Sequence, residues 1–197
     1  MNYVLLGSAG FLLMHLLDFA SMKKLPLAKP VIALLGSGFV CYSVVMVAVT
    51  GERMAIAAWL SPLGWTLLAI SVYLMMYSLY AALPFSKTYV KTGLSSQLVT
   101  GGLYSIVRHP WLLFFALAMI GLTMGSRSIL AMEAGIVWTT LSSGLVYFQD
   151  RWVFPMMFHG YAEYQKTTPM LMPTKSSLSA FFKGLKNQNK VSEEQSK

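Results

Sequence analysis

Cysteine is almost absent: Cys41 stands alone among 197 residues. No intrachain disulfide can form, no cysteine cluster can bind a metal, and no metal site is expected. Cys41 lies in an apolar run and reads as a small buried residue. Charge is scarce as well, at 11% of residues with only seven Asp and Glu, where a soluble domain carries about a quarter. That shortage excludes an ordinary soluble domain. No Lys or Arg occurs from 1 to 22, so the basic start of a cleaved signal peptide is missing. The net charge of +8 is not gathered into a basic stripe interleaved with aromatics, and no nucleic-acid partner is expected. What remains is apolar: 56% hydrophobic residues and a mean hydropathy of +0.59. These numbers indicate an all-α, polytopic membrane helical bundle.

A bilayer crossing takes about 20 apolar residues. Five spans are expected, at 3–22, 31–50, 54–85, 111–126 and 128–148. The third is longer than one crossing requires; the fourth is short, about 24 Å as a helix. Only Ser126-Arg127-Ser128 separates the last two, which predicts a tight C-terminal helical hairpin. Residues 1–173 read as a single membrane-embedded domain. Residues 174–197, rich in Lys, Ser, Gln and Asn, read as a basic, largely disordered cytoplasmic tail. Within it, Leu178, Phe181, Phe182 and Leu185 can form a turn and a half lying on the membrane surface beside Lys183 and Lys186.

Basic residues set the orientation. Thirteen of the fifteen Lys and Arg fall in the first loop, the third loop and the tail, leaving Arg53 and Arg127 for the other side. The N-terminus is therefore expected outside and the C-terminus in the cytoplasm, in the inner (cell) membrane of a bacterium. Membrane lipids are the expected surroundings of the basic loops.

The stretch 98–110, Leu-Val-Thr-Gly-Gly-Leu-Tyr-Ser-Ile-Val-Arg-His-Pro, then faces the cytoplasm. Apolar spans need no such cluster to fold. Pro110 suits the first turn of a helix. Arg108 and His109 sit at that helix mouth, where cations and free backbone amides favour an anionic group of a ligand.

This string resembles the signature of the isoprenylcysteine carboxyl methyltransferase and phospholipid methyltransferase superfamily, small integral-membrane enzymes that use S-adenosylmethionine. The matching positions are Leu98, Val99, Thr100, Gly102, Tyr104, Arg108, His109 and Pro110. Beyond them, the hairpin, Tyr161, Tyr164 and Pro173 follow the family's order, so the likeness covers 98–173. Where the family has a Glu pair, this chain reads Gln149-Asp150, one carboxylate and one amide. The glycine ahead of the tyrosines is shifted to Gly160.

The resemblance implies an S-adenosylmethionine-dependent methyltransferase with a cytoplasmic cofactor pocket. Its acceptor would be lipophilic or small: an isoprenylcysteine carboxylate-like group, a lipid or a small thiol. Arg108 and His109 are the implied catalytic residues. Gly101, Gly102, Tyr104, Arg108, His109, Pro110, Gln149, Asp150, Tyr161 and Tyr164 are the implied cofactor-binding set. The residue chemistry agrees. Arg108 can fork onto the cofactor carboxylate. His109 can hydrogen-bond the cofactor or act as a base, and the two glycines permit close backbone approach. Asp150 can take the ammonium or the ribose hydroxyls, with Gln149 beside it as an uncharged partner, and the tyrosines can pack on adenine.

Two other readings stay open. Sterol-type reductases also carry Arg-His-Pro and use NADPH, but continue into an aromatic-rich pattern that Trp111-Leu-Leu-Phe replaces here. An NnrU-like accessory membrane protein without methyltransferase activity fits the loss of the acidic pair. Outside the motif, His15 and Asp18 share one face of the first span. They either line the substrate cavity or a haem-like site, or pair with each other near the cytoplasmic end with Asp18 close to Lys23 and Lys24, and the pair is the preferred reading.

Overall fold

The computed structural model describes residues 2–22, 28–81 and 98–195. Among them helices α1 (Asn2–Met22), α2 (Ala28–Thr50), α3 (Leu60–Met76), α4 (Pro110–Ser126), α5 (Ile129–Phe148), α6 (Phe154–Met157), α7 (Tyr161–Thr167) and α8 (Lys175–Gln195) account for nearly all the structure, and no strand is present. Two π-helical turns interrupt the pattern. Tyr77–Ala81 follows α3, and Gln149–Val153 joins α5 to α6. A 3-10 turn occupies Gly102–Ser105. The all-α helical bundle is thus observed. Three helical stretches, Lys29–Thr50, Leu60–Ala81 and Ile129–Met157, are long and apolar enough to cross a membrane; Pro110–Ser126 and Asn2–Leu16 are shorter.

The chain folds as two compact units. One holds Met1–Leu74 and Phe114–Tyr147, the other Met75–Leu113 and Phe148–Lys197. The first unit is built on small residues and one tryptophan. Trp138 is fully buried, and its indole Nε1 donates to the Val4 carbonyl at 3.0 Å. Gly7 leaves room for that ring, and Phe11 meets both Phe115 and Trp138 at centroid distances of 5.1 and 5.8 Å. Without a hydrophobic driving force between helices in lipid, close backbone approach supplies the packing energy. Gly64 on α3 and Gly121 and Gly125 on α4 provide it: a Cβ on Gly121 would lie 2.6 Å from the Leu68 nitrogen, and one on Gly64 would strike the Gly125 backbone. Gly64→Ala is therefore expected to cost about 1–3 kcal/mol, the usual penalty of overpacking, read as a lowered unfolding midpoint in detergent. An unchanged midpoint would mean that the α3–α4 approach carries no stability.

The third helix begins at Leu60, not at 54 as expected from the apolar run. Its leading segment is committed elsewhere. Met54 N donates to the Arg127 carbonyl at 2.6 Å and Ile129 N to the Glu52 carbonyl at 2.9 Å. Arg53 Nη1 caps the end of α4 at the Ser126 carbonyl, and the Ser128 hydroxyl donates to the Val47 carbonyl at 2.6 Å. These bonds pin the α4–α5 hairpin, whose connecting Arg127 has a left-handed φ of 56°. Cys41 is exposed rather than buried. In a membrane helix an apolar environment is also available on the outer face, so apolar sequence does not imply burial. His15 is half-buried and engaged in a contact; the side chain of Asp18 lies outside the described residues.

In the second unit the tail is helical where the composition suggests a largely disordered segment. Thr174 and Ser177 form a reciprocal cap, Thr174 N to Ser177 Oγ at 3.0 Å and Ser177 N to Thr174 Oγ1 at 3.2 Å. This satisfies free amide groups at the start of α8. The helix also packs on the Gly102–Ser105 turn, support that a local reading of tail composition does not register.

Candidate functional site

The site is assembled within the second unit, and its centre is a carboxylate. Asp150 occupies the second position of a π-helical turn. Such a turn adds a residue to the helical repeat and is a common device at functional sites. The residue is buried, and its carboxylate accepts from four side chains. Arg108 grips it with both edges of the guanidinium, Nε to Oδ1 at 2.8 Å and Nη2 to Oδ2 at 2.7 Å. Tyr161 Oη donates to Oδ1 at 2.7 Å, and Gln165 Nε2 to Oδ2 at 3.1 Å. His109 Nε2 lies 3.0 Å from Oδ1. Since the carboxylate can only accept, the ring donates its Nε2–H.

Arg108 reaches further. Its Nη1 donates to the Gln165 carbonyl at 3.2 Å and to the Thr168 carbonyl. The backbone amides of Arg108 and His109 donate to the Pro169 and Met170 carbonyls at 2.9 and 3.2 Å. The Arg-His pair therefore tethers the whole 165–170 segment. Burial works against the Arg108 charge, but the Asp150 bonds and charge outweigh it and hold the pKa above its ordinary value. His109 is governed by burial, which lowers its pKa despite Asp150, so it is neutral at neutral pH. Its ring stacks on Phe154 at 5.6 Å.

That depression has a signed consequence. Below the ordinary value of 6.5 the unfolded chain binds a proton at His109 that the folded chain resists, so stability contributed here falls as the pH drops. The unfolding midpoint should decline between pH 7.5 and pH 5, and His109→Gln should flatten that slope. A slope identical in the variant would show that His109 is not held neutral.

The tyrosines form a second layer. Tyr104, Phe158, Tyr161 and Tyr164 make one buried cluster. Tyr164 Oη donates to the Tyr104 carbonyl at 2.5 Å, and Tyr104 Oη to the Ser78 carbonyl at 2.9 Å in the other π turn. Burial pushes all three tyrosines well above the usual phenol range, so they act here as neutral hydrogen-bond donors. Gly102 and Gly160 hold left-handed φ values of 59° and 80°. Both are positions that favour glycine, and both have open space where a Cβ would stand.

A groove of about 420 Å³ opens beside this cluster. Its walls are formed by Thr100, Ser105, Glu163, Tyr164, Thr167 and Thr168 together with Leu98, Gly160 and Ala180. In the first unit, a groove of about 370 Å³ between α4 and α5 is walled by Met119, Ile120, Met124, Met132 and Ile136, with threonines its only polar side chains. A polar, charged cofactor suits the former and not the latter.

Of the residues singled out from sequence, Tyr104, Arg108, His109, Asp150, Tyr161 and Tyr164 meet in one network or its adjoining layer. Pro110 opens α4 and is buried beside them. Gly101 and Gly102 lie on the exposed turn preceding Tyr104, and Gln149 is half-buried with a contact of its own. The sequence reading missed Gln165, the Thr168 carbonyl and Phe154. A signal for Gln165 existed: it follows Tyr164 and lies one helical turn after Tyr161, on the same face.

An all-helical chain with membrane-length spans and a buried Arg–Asp–His–Tyr cluster at the start of a short apolar helix defines a class of small membrane proteins with a polar site. The family model of the phospholipid methyltransferases matches residues 59–159, just over half of the chain, and the chain belongs to that family, one of membrane methyltransferases. The match includes Tyr104, Arg108, His109 and Asp150 and stops short of Tyr161. No characterised protein and no solved structure matches the chain.

Proposed function

We propose that the protein is an S-adenosylmethionine-dependent methyltransferase acting on a lipophilic or small acceptor that reaches it from the bilayer. The observation that carries this is the buried Arg108–Asp150 pair, with His109 and Tyr161 on the same carboxylate, built on the Arg-His motif that the family match includes. The groove chemistry fits the cofactor. Hydroxyls of Thr100, Ser105 and Thr167 suit ribose and adenine edges, the Tyr164 ring suits adenine packing, and Glu163 suits an ammonium. Glu163 is exposed and now pairs with Lys166 at 2.7 Å, an exchangeable surface contact.

In this reading Arg108 and Asp150, each assigned to the cofactor on sequence grounds, are positioning residues. Asp150 locks Arg108, and Arg108 fixes the Gln165 and Thr168 carbonyls, so the groove wall at Thr168 is held by the pair. His109, neutral and oriented by Asp150, offers its other ring nitrogen as a proton acceptor. The cofactor, when bound, supplies an electrophilic methyl group; the chain supplies placement and exclusion of water, the two needs of an in-line displacement. The site faces the cytoplasm in this proposal, a placement that the distribution of Lys and Arg supports.

The experiment is methyl transfer. Purified protein in lipid nanodiscs, given S-adenosylmethionine labelled on the methyl group, should move label into the lipid-extractable fraction or onto an added hydrophobic thiol or carboxylate. Absence of transfer to every acceptor class, with cofactor binding intact, would reduce the protein to a binding or accessory role.

A further inference from the structure

α8 is the most amphipathic helix of the chain, and much of its apolar side is uncovered. Phe182 is 64% exposed, Leu185 41% and Leu178 39%. At about 100° per residue these three share one face. Ser177 (buried) and Phe181 (partly buried) mark the face turned toward the protein. Lys186 and Lys183 follow on the flank opposite Ser177 and Phe181, so the apolar stripe lies between the protein-facing side and the lysines. From 175 to 190 the sequence holds four lysines and no acid.

We infer that α8 is an interfacial helix that docks on an anionic bilayer surface, with Leu178, Phe182 and Leu185 in the acyl boundary and Lys183 and Lys186 on lipid phosphates. Three features select this occupant. The chain belongs to a family of membrane proteins, so a bilayer surface is always at hand. Charge complementarity favours an anionic leaflet. The geometry of an apolar face with a lysine flank lets the long side chains reach headgroups while their stems lie on the apolar boundary. Ala180 lines the groove beside Thr100 and Ser105, so docking holds that wall in place. The lipid contact itself does not depend on the methyltransferase reading.

The test uses the full-length protein with Cys41→Ser, labelled with an environment-sensitive fluorophore at Leu185→Cys or, as a control on the lysine flank, Ser179→Cys. Nanodiscs of phosphatidylcholine are compared with nanodiscs containing phosphatidylglycerol. The Leu185 probe should shift to an apolar environment and be quenched by acyl-chain nitroxides when phosphatidylglycerol is present, while the Ser179 probe stays polar. Lys183→Gln with Lys186→Gln should lower the docked-to-undocked ratio on the order of tenfold, and the corresponding Arg variants should retain it. Equal quenching in both lipids, the same shift with inorganic phosphate and no anionic lipid, or a shift that tracks protein concentration and so reports a second copy would each overturn the proposal.

Discussion

Asp150→Asn should unfold or nearly unfold the second unit's site, with a cost of about 3–5 kcal/mol. The substitution preserves shape but removes the charge that accepts from Arg108, His109, Tyr161 and Gln165. The new amide turns a donor toward Arg108 or Gln165, so a guanidinium remains buried without an anion. Breaking such a pair costs far more than the pair is worth against an apolar replacement, because the orphaned charge has lost its solvent. Expected readouts are a much lower unfolding midpoint and loss of ligand affinity together. Gln149→Glu, in contrast, adds a carboxylate beside this cluster without breaking any of its bonds and should leave the fold intact. If Asp150→Asn melts like the wild type, the network is a surface ornament and not the core of the site.

Arg108→Ala is the second large effect. From the sequence alone its loss would be expected to weaken ligand binding and spare the fold, since an interfacial arginine is solvated. The side chain is instead only 9% exposed and ties Asp150 to the Gln165 and Thr168 carbonyls. Truncation should cost about 3 kcal/mol or more and free the 165–170 segment, seen as faster amide exchange there. Arg108→Lys should restore only part of it. A single ammonium cannot span both carboxylate oxygens and still reach two carbonyls. Full rescue by lysine would show that charge alone, without the fork, suffices.

The contrast between those two expectations for Arg108 marks where sequence reading stopped. The 98–110 string, the tyrosines of α7 and the surviving carboxylate were all legible, because each lies in a local pattern with its own chemical meaning. Which of them would pair was not. Arg108 and Asp150 are 42 residues apart, and the π turn that turns Asp150 inward leaves no mark in hydropathy. The short hairpin at Arg127 was legible from the lack of any spacer. The start of α3 was not, since Glu52 and Met54 are committed to backbone bonds with Ile129 and Arg127 that no local pattern encodes. The α8 stripe was visible as a turn and a half, and became a long helix because Thr174 and Ser177 cap it and the Gly102–Ser105 turn supports it.

The most direct measurement is a binding titration of the folded protein in nanodiscs with S-adenosylmethionine and, separately, NADPH. Saturable binding of S-adenosylmethionine at micromolar concentration, weakened by a bulky substitution in the groove such as Thr167→Trp and absent for NADPH, is the expected result. Binding of NADPH in its place, or of neither ligand by protein whose unfolding midpoint shows an intact fold, would contradict the methyltransferase assignment.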